Sequence, residues 1–430
     1  LNSNCQLKMA LNKTLGNIFK GDKVIWMIFF FLCIISAVEV FSASSALTYK
    51  GGSYLSPISK HVGILLLGIV AMLVTLNIQC RYFKILTPFL IFFSLITLIW
   101  VLVAGQSTNG AQRWVSLLGI QFQPSEIAKG TLVLAVAQIL SALQTDKGAD
   151  RRAFKYILIV GGIIVFFIML ENLSTAMLLC LVIYMMMILG RVPIGQLGKL
   201  LGIVTIVATS GIAFILIFGH AQKTENPDRV LTEQVENKKK DEGIFAKVFH
   251  RADTWKSRIY KFMNSEEVPP EKFDLDKDAQ VGHANIAIAS SNIVGRGPGN
   301  SVERDFLSQA FSDFIYAVII EEMGIIGAVV AMLYIILLFR TGIIANRCEN
   351  TFPAFLAMGL ALLLVTQALF NMCVAVGLAP VTGQPLPLVS KGGTSTIINC
   401  VYVGAILSVS RSAKKKTSDT PSSAVHPATA

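Results

Sequence analysis

The sequence predicts an all-α integral membrane protein, a bundle of about ten transmembrane helices with one large extracytoplasmic loop between spans 7 and 8. Of its 430 residues 53% are hydrophobic and only 15% are charged, and the mean hydropathy is +0.63. A soluble domain usually has about a quarter charged residues. The apolar residues also form runs of roughly 20, the length that crosses a hydrocarbon core of about 30 Å. Because the runs are hydrophobic on all sides, they suit a membrane bundle.

Seven apolar runs precede the large loop and three follow it. The runs are Val24–Ala43, His61–Ile78, Phe83–Ala104, Ile127–Leu143, Phe154–Leu170, Leu173–Gly190, Leu197–Phe218, Phe314–Arg340, Phe352–Val376 and Thr396–Val409. The first run is longer than the apolar part of a usual secretion signal, so we interpret it as a retained anchor. We divide the chain into a cytoplasmic tail (1–23), a membrane domain (24–411) and a C-terminal tail (412–430) that we expect to be disordered.

The distribution of Lys and Arg predicts the orientation in the membrane. With the N-terminus in the cytoplasm, 18 of them lie in cytoplasmic segments, and the short outer loops hold four, Lys50, Lys60, Arg113 and Lys391. This excess follows the positive-inside rule, and an even number of spans places both termini in the cytoplasm. The net charge of +11 would therefore face anionic lipid rather than nucleic acid. The large loop, 220–306, is polar and nearly neutral.

Three acidic residues lie in or beside the eighth run, where ionisable groups are costly and informative. Asp313 stands at its outer end, and its carboxylate is either a base at the membrane surface or a simple helix cap. Glu321 and Glu322 follow among apolar residues, so they must meet cations, water or helix ends inside the bundle. We expect a structural role for this pair.

The outer segment before the fourth run combines several polar residues. Arg113 and Trp114 offer a fork of hydrogen-bond donors beside an aromatic ring, suited to a phosphate or a sugar, although Trp114 could instead be an interfacial anchor. Glu126 and Lys129 are three residues apart, so they share one helix face and can pair. Lys129 is also a buried cation that Asp313 could engage.

The segment 377–395 contains three prolines and four glycines, which excludes a spanning helix. Irregular backbone at membrane depth persists only where protein or a water-filled cavity covers it. We predict a re-entrant outer loop lining a cleft. Its end offers hydroxyls and backbone N–H groups to an anion, beside a lysine; these candidate ligands are Ser390, Lys391, Thr394 and Ser395. The five histidines and seven cysteines have no metal-ligand spacing.

Taken together, these segments resemble the SEDS family of shape, elongation, division and sporulation proteins (FtsW, RodA and SpoVE). The resemblance covers about residues 24–411. The motifs that carry it are Asn-Gly-Ala-x-Arg-Trp with Gln-Pro-Ser-Glu, Gly-x-Gly-x-Gly-Asn-Ser at 295–301, Ser-Asp-Phe-Ile-Tyr with Glu-Glu-Met-Gly, and Gln367-x3-Asn371 with Pro-x-Thr-Gly-x-Pro-Leu-Pro and Ser-x-Gly-Gly-Thr-Ser. Asn109 resembles the division branch more than the elongation branch.

The sequence departs from the family pattern at two places. Gln309 stands where the family commonly has an acid before the aspartate that corresponds to Asp313, which leaves at most a supporting role for Gln309. Asn172 stands where the family commonly has an aspartate, so a role for that carboxylate is not carried over.

The resemblance implies a peptidoglycan glycosyltransferase of the bacterial inner membrane that polymerises lipid II with inversion, its cleft facing outward. It implies Asp313 as general base. Arg113, Trp114, Lys129 and the Ser390–Ser395 segment are candidate substrate ligands, and Glu126, Asn371 and the Glu321–Glu322 pair are supporting residues. It further implies a class B penicillin-binding protein and other divisome proteins as partners. We expect no tightly bound cofactor, with Mg²⁺ or Mn²⁺ at most assisting the pyrophosphate.

Two other function classes fit part of this evidence. A lipid II flippase would also use ten spans and the buried Lys129, Glu321 and Glu322, but it needs polar groups reachable from both sides. The most suggestive polar groups here gather on the predicted outer face, which favours an enzyme. A scaffold that recruits division proteins is the third class, and it predicts that substitutions in the cleft leave growth intact.

Overall fold

The computed structural model describes residues 19–45, 55–104, 106–108, 111–117, 120–218, 279–307 and 310–413. Each of the ten predicted apolar runs contains a helix. The predicted tails, except for the residues next to the first and last helices, and most of the large loop (219–278) lie outside the described residues. The division of the chain into tails and membrane domain therefore stays a prediction.

The structure has twelve α-helices in its described part. They are α1 (Lys23–Ser45), α2 (Leu55–Asn77), α3 (Cys80–Ala104), α4 (Pro124–Ala142), α5 (Arg151–Glu171), α6 (Leu173–Leu189), α7 (Ile194–Phe218), α8 (Ala279–Ser290), α9 (Ile315–Met323), α10 (Ala328–Ala345), α11 (Thr351–Ala375) and α12 (Thr394–Ser412). Short 3₁₀ turns lie at Glu303–Asp305 and Gly324–Gly327.

Seven helical segments of the described chain are long and apolar enough to cross a membrane: α1 to α5, α9 with α10 as one unit, and α11. Helix α6 is also apolar but has 17 residues. The helical membrane fold is therefore confirmed, while the number of ten spans stays a prediction.

Two small sheets lie in the connections between helices. Strands β1 (Gln106–Thr108), β2 (Ala111–Leu117) and β3 (Ile120–Phe122) form an antiparallel sheet between α3 and α4. A two-stranded pair, β4 (Gln144–Thr145) and β5 (Gly148–Ala149), joins α4 to α5. Both segments are polar connections between spans, and strands this short lack the long alternating pattern that would predict them.

Helices α4 and α11 form the centre of the bundle, with two-thirds of each span buried, against 28% for α2, α3 and α5. Small residues allow α4 and α11 to lie close to each other and to neighbouring helices. A side chain at Gly359 of α11 would collide with Val133 of α4 and Met186 of α6, and one at Gly130 of α4 would collide with Tyr402. Membrane helices lack a hydrophobic force between them, so such tight packing is a main source of their association.

Helices α2 and α12 pack side by side in parallel. Gly68 of α2 faces Cys400 of α12, and one turn further along both helices Gly404 faces Met72. The residue numbers rise together along the two helices, from the pair Gly68 and Cys400 to the pair Met72 and Gly404. Both helices therefore begin at the same end of the bundle. The first turn of α12 therefore lies beside the residues near Lys60 of α2.

The eighth run is broken, contrary to the prediction of one continuous helix through Phe314–Arg340. Helix α9 ends at Gly324, which has a φ of 60°. A Cβ there would lie 2.4 Å from the carbonyl oxygen of Ile293, and a Cβ on Gly295 would lie equally close to that of Glu322. The two glycines thus let the glycine-rich segment 295–301 pack against the C-terminal end of α9. There the N–H of Gly297 donates to the Glu322 carbonyl at 2.8 Å.

Asp22 connects three helices at the end of the bundle that lies opposite the first turns of α2 and α12. Its carboxylate accepts from the N–H groups of Val24 and Ile25 at the start of α1. It also accepts three hydrogen bonds from Nε and Nη2 of Arg340 of α10, the shortest at 2.7 Å. Its own N–H donates to Ser410 of α12 at 2.9 Å. Burial alone would raise the pKa of Asp22, but the hydrogen bonds and charge of Arg340 outweigh it and lower the pKa below 3.8.

We predict that Asp22→Asn lowers the thermal unfolding midpoint at neutral pH, because it removes the charge while keeping an oxygen to cap α1. A folded-state pKa below the unfolded value stabilises the protein above about pH 4, and this contribution is lost as the pH falls through the folded pKa. The gap in midpoint between the wild type and Asp22→Asn should therefore narrow as the pH falls below about 4. A gap independent of pH would contradict this, and Asp146→Asn, at an exposed residue, is the control.

Candidate active site

The turn that carries Asp313 is fixed through its backbone. Asn371 of α11 donates from Nδ2 to the carbonyl oxygen of Asp313 at 2.9 Å. The hydroxyl of Ser390 donates to the carbonyl of Ser312 at 2.6 Å, and the N–H of Lys391 donates to the carbonyl of Phe311 at 3.0 Å. Three successive carbonyls of the turn are thus held by α11 and the proline-rich loop.

The carboxylate of Asp313 is half-buried and accepts from the hydroxyl of Ser312 at 3.0 Å. Helix α9 begins two residues later, at Ile315, so the carboxylate stands at its N-terminal end, where the helix dipole favours the ionised form. The N-cap position belongs to Phe314, and no side chain caps it. Asp313 lies one residue outside the cap, which weakens the alternative that it only caps the helix.

The irregular loop 377–393 is mostly buried between residues 382 and 390, where it packs against α11, while Gly377 and Leu378 are exposed. Such burial is expected of irregular backbone at membrane depth. Asn371 also donates to the carbonyl of Gln384 at 2.7 Å, and Gln367, one turn before it, donates to the carbonyl of Pro385 at 3.1 Å. The Gln384 side chain in turn donates to Thr175 of α6 at 2.6 Å. Two amides of α11 therefore position the loop that holds the Asp313 turn.

Lys129 and Glu126 pair inside the bundle, as their spacing predicted. Lys129 Nζ lies 2.8 Å from Glu126 Oε1, and both side chains are almost fully buried. The second contact of Lys129 is Gln367 Oε1 at 2.8 Å, rather than the predicted Asp313. The expectation that Lys129 engages Asp313 directly was therefore wrong, because the i, i+3 carboxylate on its own helix lies nearer. Lys129 and Asp313 are connected only indirectly, by hydrogen bonds through Gln367 and the loop 377–393.

The predicted pair Arg113 and Trp114 lies in strand β2. Trp114 is opposite Gln106 across the sheet and is partly exposed, while the next residue, Val115, is buried. The side chain of Arg113 and the whole of Gln309 lie outside the described residues. A contact of either with substrate stays a prediction.

The hydroxyls at the end of the loop fall into two groups. Ser390 is buried and uses its hydroxyl inside the protein, accepting from the N–H of Leu386 at 2.8 Å and donating to Ser312. These contacts favour a positioning role for Ser390 over the predicted binding of substrate. The hydroxyls of Thr394 and Ser395 have no hydrogen-bond partner among the described residues.

Glu321 and Glu322 are fully buried and hold the glycine-rich segment. The hydroxyl of Ser301 donates to Glu321 at 2.5 Å, and the N–H of Gly299 donates to Glu322 at 2.9 Å. Arg304 Nη1 lies 3.8 Å from Glu322 Oε1. These contacts favour the structural role that the sequence suggested for the pair.

Several contributing residues escaped the sequence analysis. Arg304 donates to Ser42 of α1 at 2.9 Å, and Ser42 donates to Glu322. Glu39 of α1 is buried within electrostatic range of Glu322. Glu171 accepts from Ser125 at 2.9 Å, at the N-terminus of α4. Glu39 could have been identified from the sequence, because it is an acid inside the first apolar run. The partners of Arg304 could not, because they depend on the fold.

Asn172, which replaces the aspartate of the family pattern, caps α6. Its side-chain oxygen accepts from the N–H groups of Ser174 and Thr175 at 3.1 and 3.4 Å. An amide oxygen serves this purpose as well as a carboxylate does. Within the described residues, no group of three or more His, Cys, Asp or Glu is placed to hold a metal ion.

The chain is similar to proteins of known family over nearly its whole length. Residues 22–415 match the model of the cell cycle protein family named for FtsW, RodA and SpoVE. The probable peptidoglycan glycosyltransferase FtsW of Geobacter sp. (strain M18) is 30% identical over 90% of this chain and 96% of its own. The peptidoglycan glycosyltransferase MrdB of Escherichia coli K12 is 27% identical over 90% of this chain and 93% of its own.

Solved structures share the fold at 22% identity. A chain from a peptidoglycan synthase complex that coordinates polymerization and crosslinking gives a TM-score of 0.66, covering 91% of this chain and 98% of its own. The rod shape determining protein RodA of Thermus thermophilus gives 0.60, covering 93% and 99%. With a family model that spans almost all of the chain, this multi-pass membrane protein belongs to the FtsW/RodA/SpoVE family of cell cycle proteins.

Proposed function

We propose that this protein is a peptidoglycan glycosyltransferase that polymerises lipid II, with Asp313 as the general base. The observation that carries the proposal is the Asp313 turn, whose backbone is bound by Asn371, Ser390 and Lys391. A base must be held within hydrogen-bond reach of the proton that it removes. The names of the curated relatives support the same reaction.

In the proposed step, Asp313 removes the proton from the 4-hydroxyl of the acceptor sugar. The oxygen attacks the anomeric carbon of the donor, a new glycosidic bond forms, and the bond to the lipid diphosphate breaks on the opposite face. The configuration at the anomeric carbon inverts. Lys391, on the segment hydrogen-bonded to the Asp313 turn, is placed to stabilise the negative charge that develops on the leaving diphosphate.

The proposed orientation places Asp313 and the loop 377–393 at the outer surface and both termini in the cytoplasm. Asp22 and Arg340, at the opposite end of the bundle from the first turns of α2 and α12, lie on the side where cations are enriched. We further propose a crosslinking partner, a class B penicillin-binding protein, since one structural relative comes from a complex that coordinates polymerization and crosslinking.

A lipid II flippase is the second candidate, favoured by the buried pair Glu126–Lys129 near the centre of the bundle. Against it, the hydrogen bonds of that pair lead through Gln367 to the loop beside Asp313. Purified protein with its partner, supplied with lipid II, decides between the two. Glycan strands support the enzyme, whereas translocation of labelled lipid II without strands supports the flippase.

We predict that Asp313→Asn lowers the rate of lipid II polymerisation by about 10²- to 10⁴-fold, because an amide cannot accept the proton. The substitution keeps the size of the side chain, so the thermal unfolding midpoint should not change. Asp146→Asn serves as the control and should polymerise at the wild-type rate. A folded Asp313→Asn protein of normal activity would remove Asp313 from the proposed role.

We predict that Asn371→Asp lowers kcat by about 10- to 100-fold, with little change in KM for lipid II. The carboxylate cannot donate to the carbonyls of Asp313 and Gln384, so the turn loses its support while the substrate contacts stay. Asn77→Asp, which removes a similar amide-to-carbonyl bond at the exposed end of α2, is the matched control. Equal effects of the two substitutions on kcat would show that Asn371 has no special role.

A further inference from the structure

Six cations gather at the end of the bundle that contains Asp22. Helix α4 starts beside the loop 377–393, to which Gln367 connects its Lys129, and it crosses the bundle to Ala142. The β4–β5 pair and the start of α5 therefore lie at the opposite end from the loop. The cations of this basic patch, all of them exposed, are Lys147, Arg151, Arg152, Lys155, Arg191 and Lys199.

Tertiary packing brings the two parts of the basic patch together from distant segments of the chain. The side chain of Gln196, in the first turn of α7, donates to the carbonyl of Arg151 at 3.5 Å. Gly148 of β5 packs against residue 191 so closely that a Cβ on it would lie 2.5 Å from the carbonyl oxygen of Arg191. The first turns of α5 and α7 therefore lie side by side, and Arg191 lies next to both of them.

The cations of the basic patch lack negative partners inside the protein. Among the described residues, none of the six forms an ion pair with a carboxylate. Arg151 and Arg152 occupy the first turn of α5, where a cation opposes the helix dipole. The carboxylate of Asp150 caps that turn, accepting from the N–H of Arg152 at 2.8 Å. Because like charges held together repel one another, the basic patch is unfavourable until an anion from outside the protein joins it.

Exposed apolar residues continue from the basic patch along both helices. Tyr156 and Ile159 of α5 are 52% and 58% exposed, and Ile194 and Leu201 of α7 are 85% and 53% exposed. In a membrane, such faces contact acyl chains, while long cationic side chains beside them extend to the headgroups. A ligand that matches both features carries phosphate and acyl chains together. This combination favours a phospholipid over an acidic segment of a protein.

We propose that the basic patch is a binding site for a phospholipid with two phosphate groups, of the cardiolipin class, in the cytoplasmic leaflet. Basic pockets between transmembrane helices on the cytoplasmic side suit such headgroups. Arg151 and Arg191 bind the first phosphate. Lys155 and Lys199, one turn beyond the contact between Gln196 and Arg151, bind the second. The inference rests on the orientation given under the proposed function, and it is independent of the proposed reaction.

The test is native mass spectrometry of the purified, delipidated full-length protein titrated with cardiolipin, phosphatidylglycerol or a polyglutamate peptide. The double variant Arg151→Gln with Arg191→Gln should raise the Kd for cardiolipin by about 30-fold, the effect of two cations near a phosphate. The matched control is Arg81→Gln with Arg347→Gln, which removes the same charge from two exposed arginines at the same end of the bundle. It should leave the Kd unchanged.

A second double variant, Lys155→Gln with Lys199→Gln, tests the second phosphate without altering the first turns of the two helices. It should also raise the Kd for cardiolipin by about 30-fold. It should leave the Kd for phosphatidylglycerol, which has one phosphate, unchanged. Equal losses of affinity for the two lipids would overturn a site for two phosphates.

Two further outcomes would also overturn the proposal. If the control pair weakens cardiolipin binding as much as the patch variants do, only the net charge of the protein matters and no defined site exists. If the polyglutamate peptide binds more tightly than cardiolipin, the basic patch receives an acidic protein segment. Binding is measured in detergent and without lipid II, so the result does not depend on the orientation in the membrane or on the proposed polymerisation.

Discussion

The structure depends on one constraint: backbone that is not helical must find its hydrogen bonds inside the protein where lipid replaces water. The proline-rich loop before α12 satisfies this requirement with side chains of α11 and with the Asp313 turn. Asn371 binds two carbonyls, Gln367 binds a third, and Ser390 connects the loop to the turn. The groups that complete the loop are thus the same groups that fix the candidate base, so the fold and the site cannot be separated.

The same constraint explains the broken eighth span. Helix α9 ends at Gly324, and the carbonyls that this break frees accept from the glycine-rich segment, as do the carboxylates of Glu321 and Glu322. Arg304 extends these contacts to α1 through Ser42. The segment 295–313 is therefore attached to α9 and its neighbours both at the break and at Asp313.

The sequence predicted most of the helices and the local pairs, because these depend on spacing along the chain. The apolar runs became helices, and Glu126 pairs with Lys129 as an i, i+3 neighbour. The sequence did not predict contacts between distant segments. Nothing in the pattern assigned Gln384 to Thr175 or placed Lys60 beside Lys391, since these depend on how helices pack. The break at Gly324 was missed because hydropathy does not detect a positive φ.

The central claim is that Asp313 accepts the proton of the acceptor sugar while the lipid diphosphate leaves beside it. The most direct measurement is a cryo-electron microscopy structure of the protein with its partner and two lipid II molecules trapped before reaction. The account predicts the acceptor 4-hydroxyl at about 3 Å from the Asp313 carboxylate, with the donor diphosphate beside Lys391. An acceptor hydroxyl bound far from Asp313, or a carboxylate closed off from both sugars, would contradict it.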